Sequence, residues 1–190
     1  FDAHYLKSKK EKVANILKKV HSSGKILEGE FKIFDEIRKY EDLIEGNINY
    51  PYYDKIREKI FSLEAHLNEI GVDKKSCHID LVPENFIEDE NGRVYLIDWE
   101  YSGMTHPAVD LGTFIACSDY KVEEAVGVIK EYLGEDYTPN KLKTYLGYTA
   151  IISFYWFLWA LHQDSLGKNV GKYLYIWYKY TKIYAKEALE

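Results

Sequence analysis

Two cysteines, four prolines and no apolar run of eighteen residues occur in this 190-residue sequence, and each scarcity removes a class of protein. Cys77 and Cys117 show no Cys-x-x-Cys spacing, so they read as reduced core thiols rather than a disulfide or a zinc site, and redox control has no support. The most apolar segment, Thr149 to Leu161, is too short to span a bilayer, and no signal-peptide pattern is present. A cytoplasmic protein with no membrane partner is the expectation. Basic residues are outnumbered, 25 Lys and Arg against 31 Asp and Glu, and the net charge of -6 argues against nucleic acid as a partner. The Lys-rich start from Lys7 to Lys19 alternates with apolar residues, as a solvated helix face does. A phosphate-cradling loop is also missing: Gly24 to Gly29 has the spacing, but Glu30-Phe31 follows where Lys and Ser or Thr are required.

No internal repeat and no Pro/Ser-rich linker divides the chain, and 46% hydrophobic residues suffice for a sizeable core, so residues 1–190 read as one domain. Apolar periodicity predicts helices at about 8–21, 29–45 and 51–70. Further helices are expected from Pro107 to Ala116, Val122 to Leu133, Pro139 to Gln163 and Val170 to Leu189, with Gly134 and Gly167 as breaks. Between them, Asn85-Phe86-Ile87 and Arg93-Val94-Tyr95-Leu96-Ile97 read as two short strands joined by an Asn91-Gly92 turn. The fold class is mainly α with a small β-hairpin.

That hairpin carries the chemistry. His78-x-Asp80-x-x-x-x-Asn85 sets a carboxylate where it can accept a hydroxyl proton and an amide oxygen five residues on that can hold Mg2+. Asp98 ends the second strand, so the hairpin would bring Asn85 and Asp98 together, two oxygen donors suited to a hard cation that also holds phosphate. Each element alone is common in turns and caps; the combination points to phosphoryl transfer to an alcohol. His78 is expected to orient the loop around Asp80 rather than act as base. Ile79 stands where a protein kinase has Arg, Trp99-Glu100 follow Asp98 where it has Phe-Gly, and eleven residues separate Asp98 from Asp110. That leaves no room for a long activation loop, so a small-molecule acceptor is favoured over a protein.

Three further positions keep two readings each. Trp156 and Trp159 share a helix face, as a core seam or as a pocket wall; a quaternary ammonium can be held only by aromatic faces backed by carboxylates. Glu100 is either a surface carboxylate or, on strand-like backbone, a neighbour of Asp98 facing a cationic substrate. Asp110 is either a helix cap or a group that holds the catalytic loop by its backbone. Tyr155, Tyr173, Tyr175, Trp177 and Tyr178 default to the core, although one or two could complete an aromatic cage.

The stretch His78-x-Asp80-Leu81-Val82-Pro83-Glu84-Asn85-Phe86-Ile87, then Leu96-Ile97-Asp98-Trp99-Glu100-Tyr101-Ser102-Gly103-Met104, Pro107-x-x-Asp110-Leu111 and Trp156-Phe157-Leu158-Trp159, resembles the choline/ethanolamine kinases. This family lies in the aminoglycoside-phosphotransferase-like branch of the protein-kinase-like fold, and the pattern is that of bacterial LicA-type choline kinases. The resemblance implies the C-terminal, large lobe of that fold, with Asp80 as catalytic base, Asn85 and Asp98 as magnesium ligands, and Trp156 and Trp159 walling a choline pocket. It implies ATP as phosphoryl donor, Mg2+ as cofactor, and choline or a related amino alcohol as substrate. Ethanolamine, aminoglycoside or sugar phosphorylation is the alternative within the branch, and a non-catalytic pseudokinase-type lobe the alternative outside it. His106 departs from the acidic residue common at its position. Residues 1 to 24 already read as the helix after the interlobe hinge, so the N-terminal nucleotide lobe is expected to be absent. The chain alone is then expected to turn over slowly or not at all, and its uncovered apolar surface makes self-association possible.

Overall fold

The computed structural model describes residues 3–44, 48–71 and 73–190. Eight α-helices and four three-residue strands follow one another along these segments. Helix α2 spans Lys10–His21, the helix expected at about 8–21, and a separate short helix α1, Ala3–Ser8, precedes it across Lys9. Helix α2 buries Val13, Ala14, Leu17 and His21, one stripe at helical spacing. Helix α3 runs Ile33–Leu43 rather than from about 29, and its expected end near 45 falls outside the described residues. The reason for the late start is a competing partner. Met104 N donates to Gly29 O at 2.8 Å and Phe31 N to Met104 O at 3.0 Å, which pins residues 29–31 in extended form. Helix α4 covers Tyr53–Ile70 and ends on Gly71 at φ 79°.

Strand β1, Lys75–Cys77, pairs antiparallel with β4, Gly103–Thr105, aligning Cys77 with Gly103. Strands β2, Phe86–Glu88, and β3, Val94–Leu96, form the expected hairpin, with Phe86 opposite Leu96. Its turn is held by the Asp89 carboxylate, whose Oδ1 accepts from Asn91 N and Arg93 N, both at 2.9 Å, while Gly92 takes φ 74°.

All ten residues of helix α5, Ala108–Cys117, are buried. Helix α6 is Val122–Leu133, and α7 runs the 27 residues Pro139–Ser165, started by Pro139 and by Thr138 Oγ1 accepting from Lys141 N at 3.1 Å. Helix α8 is Tyr173–Leu189; Gly167 and Gly171 take positive φ before it, which delays its start past Val170. Helices α5 and α7 cross so closely that a Cβ on Gly112 would lie 2.8 Å from Ile152 Cγ2 and from the Thr149 Cα. The wholly buried α5 is therefore the spine against which α7 and the loop after β1 are set. Among the described residues, no helix is long and apolar enough to cross a membrane.

Candidate active site

The loop between β1 and β2 is anchored from below. Asp110, on the first turn of α5 and fully buried, accepts from His78 N (Oδ2, 3.0 Å) and Ile79 N (Oδ1, 2.6 Å). It also bonds His21 Nε2 at 2.9 Å, and His21 Nδ1 lies 2.7 Å from the Tyr132 hydroxyl. Asp110 stands inside α5, not at its N-cap, and all of these partners lie on other elements. The two amides hold Ile79 at φ 74°, a left-handed conformation that a β-branched residue adopts only under constraint. This twist turns the chain so that Asp80 comes out of the core toward solvent.

His78 is fully buried and its Nε2 lies 2.8 Å from Ile97 O, tying the loop to the end of β3 next to Asp98. The ring also meets Trp99 edge-on, with centroids 4.6 Å apart. Asn85 Nδ2 donates to the Asp80 backbone oxygen at 2.9 Å and to Asp80 Oδ2 at 3.0 Å, which commits the amide nitrogen and frees the amide oxygen. Ile97 N donates to Asn85 O at 3.1 Å, so Asn85 and Asp98 sit at adjoining hairpin ends. Asp98 takes φ 62°, and its exposed carboxylate has no hydrogen bond or ion pair among the described residues. A free amide oxygen beside an unpaired carboxylate is a hard-oxygen donor set that fits Mg2+. Burial pushes the Asp80 carboxyl above its ordinary range, and the nearby Asp98 and Glu100 carboxylates add to this; the Asn85 amide and His78 pull the other way.

In front of Asp80 lies a cavity of about 360 Å3 lined by Val82, Glu84, Glu100, Tyr101, Trp156, Trp159, Tyr173 and Trp177 as well as Asp80 itself. Three of its nine lining residues are carboxylates, five are aromatic and none is basic. Trp156 meets Tyr101 edge-on at 5.3 Å and Trp159 at 5.7 Å, and stacks on Trp177 at 6.1 Å. Tyr173 stacks on Trp177 and donates its hydroxyl to Glu84, 2.9 Å from Oε1, so α8 is fastened to the segment after Asp80 at the cavity wall.

Of the residues the sequence singles out, Asp80, Glu100, Trp156 and Trp159 share this cavity, Asn85 and Asp98 flank it, and His78 and Asp110 lie beneath. Glu100 arrives by another route than strand alternation, because residues 97–99 are not a strand and the left-handed Asp98 turns the chain. Tyr173 and Trp177 belong to the cavity wall rather than to the core alone. Tyr175 is no core residue: it is 66% exposed, two residues round α8 from the face that Tyr173 and Trp177 present. Tyr101 and Glu84 carry no sequence signal of a site role beyond their place in the resembling stretches next to Glu100 and Asn85. His106, where the resembling pattern is acidic, stacks on Tyr148 at 4.6 Å away from this cavity, and burial pushes its imidazole down to about 4.

Residues 2–147 match the family described as choline/ethanolamine kinase. The LicA protein of Haemophilus influenzae is 30% identical over 169 residues, covering 85% of this chain and 50% of that protein. Mouse (Mus musculus) ethanolamine kinase 1 is 32% identical over 160 residues, 66% of this chain and 44% of that protein. The crystal structure of choline kinase LicA from Streptococcus pneumoniae superposes with a TM-score of 0.83 at 40% identity, over 98% of this chain and 66% of that one. The chain thus spans about half the length of the curated relatives it matches. With its fold and these matches in agreement, the chain belongs to the choline/ethanolamine kinase family.

Proposed function

We propose that this chain forms the catalytic and substrate-binding part of a kinase that transfers the ATP γ-phosphoryl group to the hydroxyl of choline. The observation that carries the reading is the cavity composition: five aromatic side chains and the carboxylates of Glu84 and Glu100, with no basic residue, gathered around Asp80. A quaternary ammonium keeps its charge at every pH and donates no hydrogen bond, so aromatic faces and nearby negative charge are what can hold it. Each well-placed, desolvated aromatic face contributes up to about 2 kcal/mol.

With the cation held there, the alcohol of a two-carbon amino alcohol comes within reach of Asp80. Asn85 Nδ2 fixes Oδ2 of Asp80, leaving Oδ1 to accept a hydrogen bond from the hydroxyl and take its proton as the phosphorus–oxygen bond forms. Asp98 and the Asn85 amide oxygen would hold Mg2+, which when bound offsets charge on the phosphate oxygens. The rest of the work is positioning, done by the Asp110 anchor and the His78 tie.

Ethanolamine is the second reading, favoured by the ethanolamine kinases among the relatives and by Glu100, which could accept from a primary ammonium. Formation of phosphocholine from ATP and choline, followed by phosphorus NMR, tests the proposal. Asp80→Asn should lower the rate by about 10²- to 10⁴-fold. Where the wild type turns over, an equal rate in the variant would remove Asp80 from its role, and phosphorylation of ethanolamine alone would select the second reading.

A further inference from the structure

His21, Cys77 and Asp110 come together under the catalytic loop from three separate elements, α2, β1 and α5. We propose that they form a site for a borderline-soft divalent cation, Zn2+ in kind, bound through His21 Nε2, Cys77 Sγ and Asp110 Oδ2. The three ligand atoms are buried and all lie within 4.8 Å of one another. Zinc bonds of about 2.0 to 2.3 Å place tetrahedral ligand atoms roughly 3.5 Å apart, so shifts of about an ångström complete the arrangement. One imidazole nitrogen, one thiolate and one carboxylate form a donor set that suits zinc and is foreign to the all-oxygen taste of magnesium.

The surroundings supply what such a site needs beyond its ligands. His21 Nδ1 lies 2.7 Å from the Tyr132 hydroxyl, an outer partner that fixes the ring and can accept its remaining proton. Asp110 is steadied by the His78 and Ile79 amides. A cavity of about 830 Å3 is lined by His21 and its partner Tyr132, with Lys75 and His106 among others, and shares no lining residue with the cavity at Asp80; His21 is the ligand through which an ion and a water as fourth ligand would enter. Among the described residues, the hydrogen-bond partner of Cys77 Sγ is Thr105 O at 3.6 Å, a weak contact that a metal bond would outcompete. On binding, the thiol proton leaves to solvent and the imidazole proton moves from Nε2 to Nδ1. The dication then balances one thiolate and one carboxylate, leaving a neutral cluster in a buried place.

The test uses chain without an affinity tag, stripped by chelator and titrated with Co2+ as a spectroscopic stand-in for Zn2+. One equivalent of Co2+ should bind with a thiolate-to-cobalt charge-transfer band, Zn2+ should displace it, and Zn2+ should raise the melting temperature in a concentration-dependent way. Cys77→Ser should remove the band, whereas Cys117→Ser, which alters the other buried thiol, should keep it. Tyr132→Phe leaves all three ligands in place and should weaken Co2+ binding by about 10- to 100-fold, so it decides the matter even if the Cys77 variant does not fold. No sulfur band in the wild-type chain, a band that survives Cys77→Ser, or unaltered affinity in Tyr132→Phe would each overturn the site.

Discussion

Replacing Asp110 by Asn isolates what holds the catalytic loop. The carboxylate has three donors around it: His78 N, Ile79 N and His21 Nε2. An amide offers one oxygen, and its NH2 group must face at least one of these donors, which is left buried without an acceptor. Such a loss costs about 1 to 3 kcal/mol, and a hydrogen bond to a charged group is at the upper end. Part is returned, because the left-handed Ile79 is strained by roughly 1 to 3 kcal/mol and is then free to relax. The expected net destabilisation is about 2 kcal/mol, roughly 30-fold in the unfolding constant. Urea unfolding should show a lowered midpoint with unchanged slope, and amide exchange should quicken most at residues 78 and 79. If the Asn variant unfolds within about 0.5 kcal/mol of the wild type and both amides keep their protection, the anchoring argument is wrong.

Asp80→Asn should leave the fold at least as stable near pH 7. Burial raises the Asp80 carboxyl, so the folded state binds the extra proton more readily; this group's contribution is best at acid pH and declines as pH rises through its raised folded value. A melting series against pH should show the variant flatter than the wild type above pH 4; a steeper fall in the variant would contradict the sign. Tyr173→Phe cuts the bond that fastens α8 to Glu84, and choline affinity measured by calorimetry should fall about three- to tenfold, with no change counting against a role for that clasp. Gly112→Ala should destabilise by about 1 to 3 kcal/mol because its Cβ meets Thr149 backbone, whereas Gly127→Ala, with open space around it in α6, should stabilise by about 0.5 to 1 kcal/mol. Thermal melts of the two variants shifting in the same direction would refute the packing argument.

The parts of the site that read clearly from sequence are those encoded locally. The hairpin announces itself by Asn91-Gly92 between apolar runs, and that hairpin alone brings Asn85 and Asp98 to adjoining ends. What stayed hidden was set by distant partners. The pairing of Lys75–Cys77 with Gly103–Thr105 joins strands too short for a periodic signal, and it also delays α3 by claiming Gly29 and Phe31. Helix α8 is aromatic on several sides, so its sequence does not say that Trp177 and Tyr173 face the cavity while Tyr175 faces solvent; only packing against α7 decides that. His21 gave no signal at all, since its partners Asp110 and Tyr132 stand far along the chain.

Calorimetric titration of choline, then ethanolamine, into the wild-type chain and its Trp156→Leu variant tests the central claim most directly, because it reads the aromatic wall itself rather than turnover. The aromatic wall predicts that choline binds more tightly than ethanolamine and that the variant loses this preference, by about 1 to 2 kcal/mol or roughly 5- to 30-fold. Ethanolamine binding as tightly as choline, or a choline affinity indifferent to Trp156, would contradict the account.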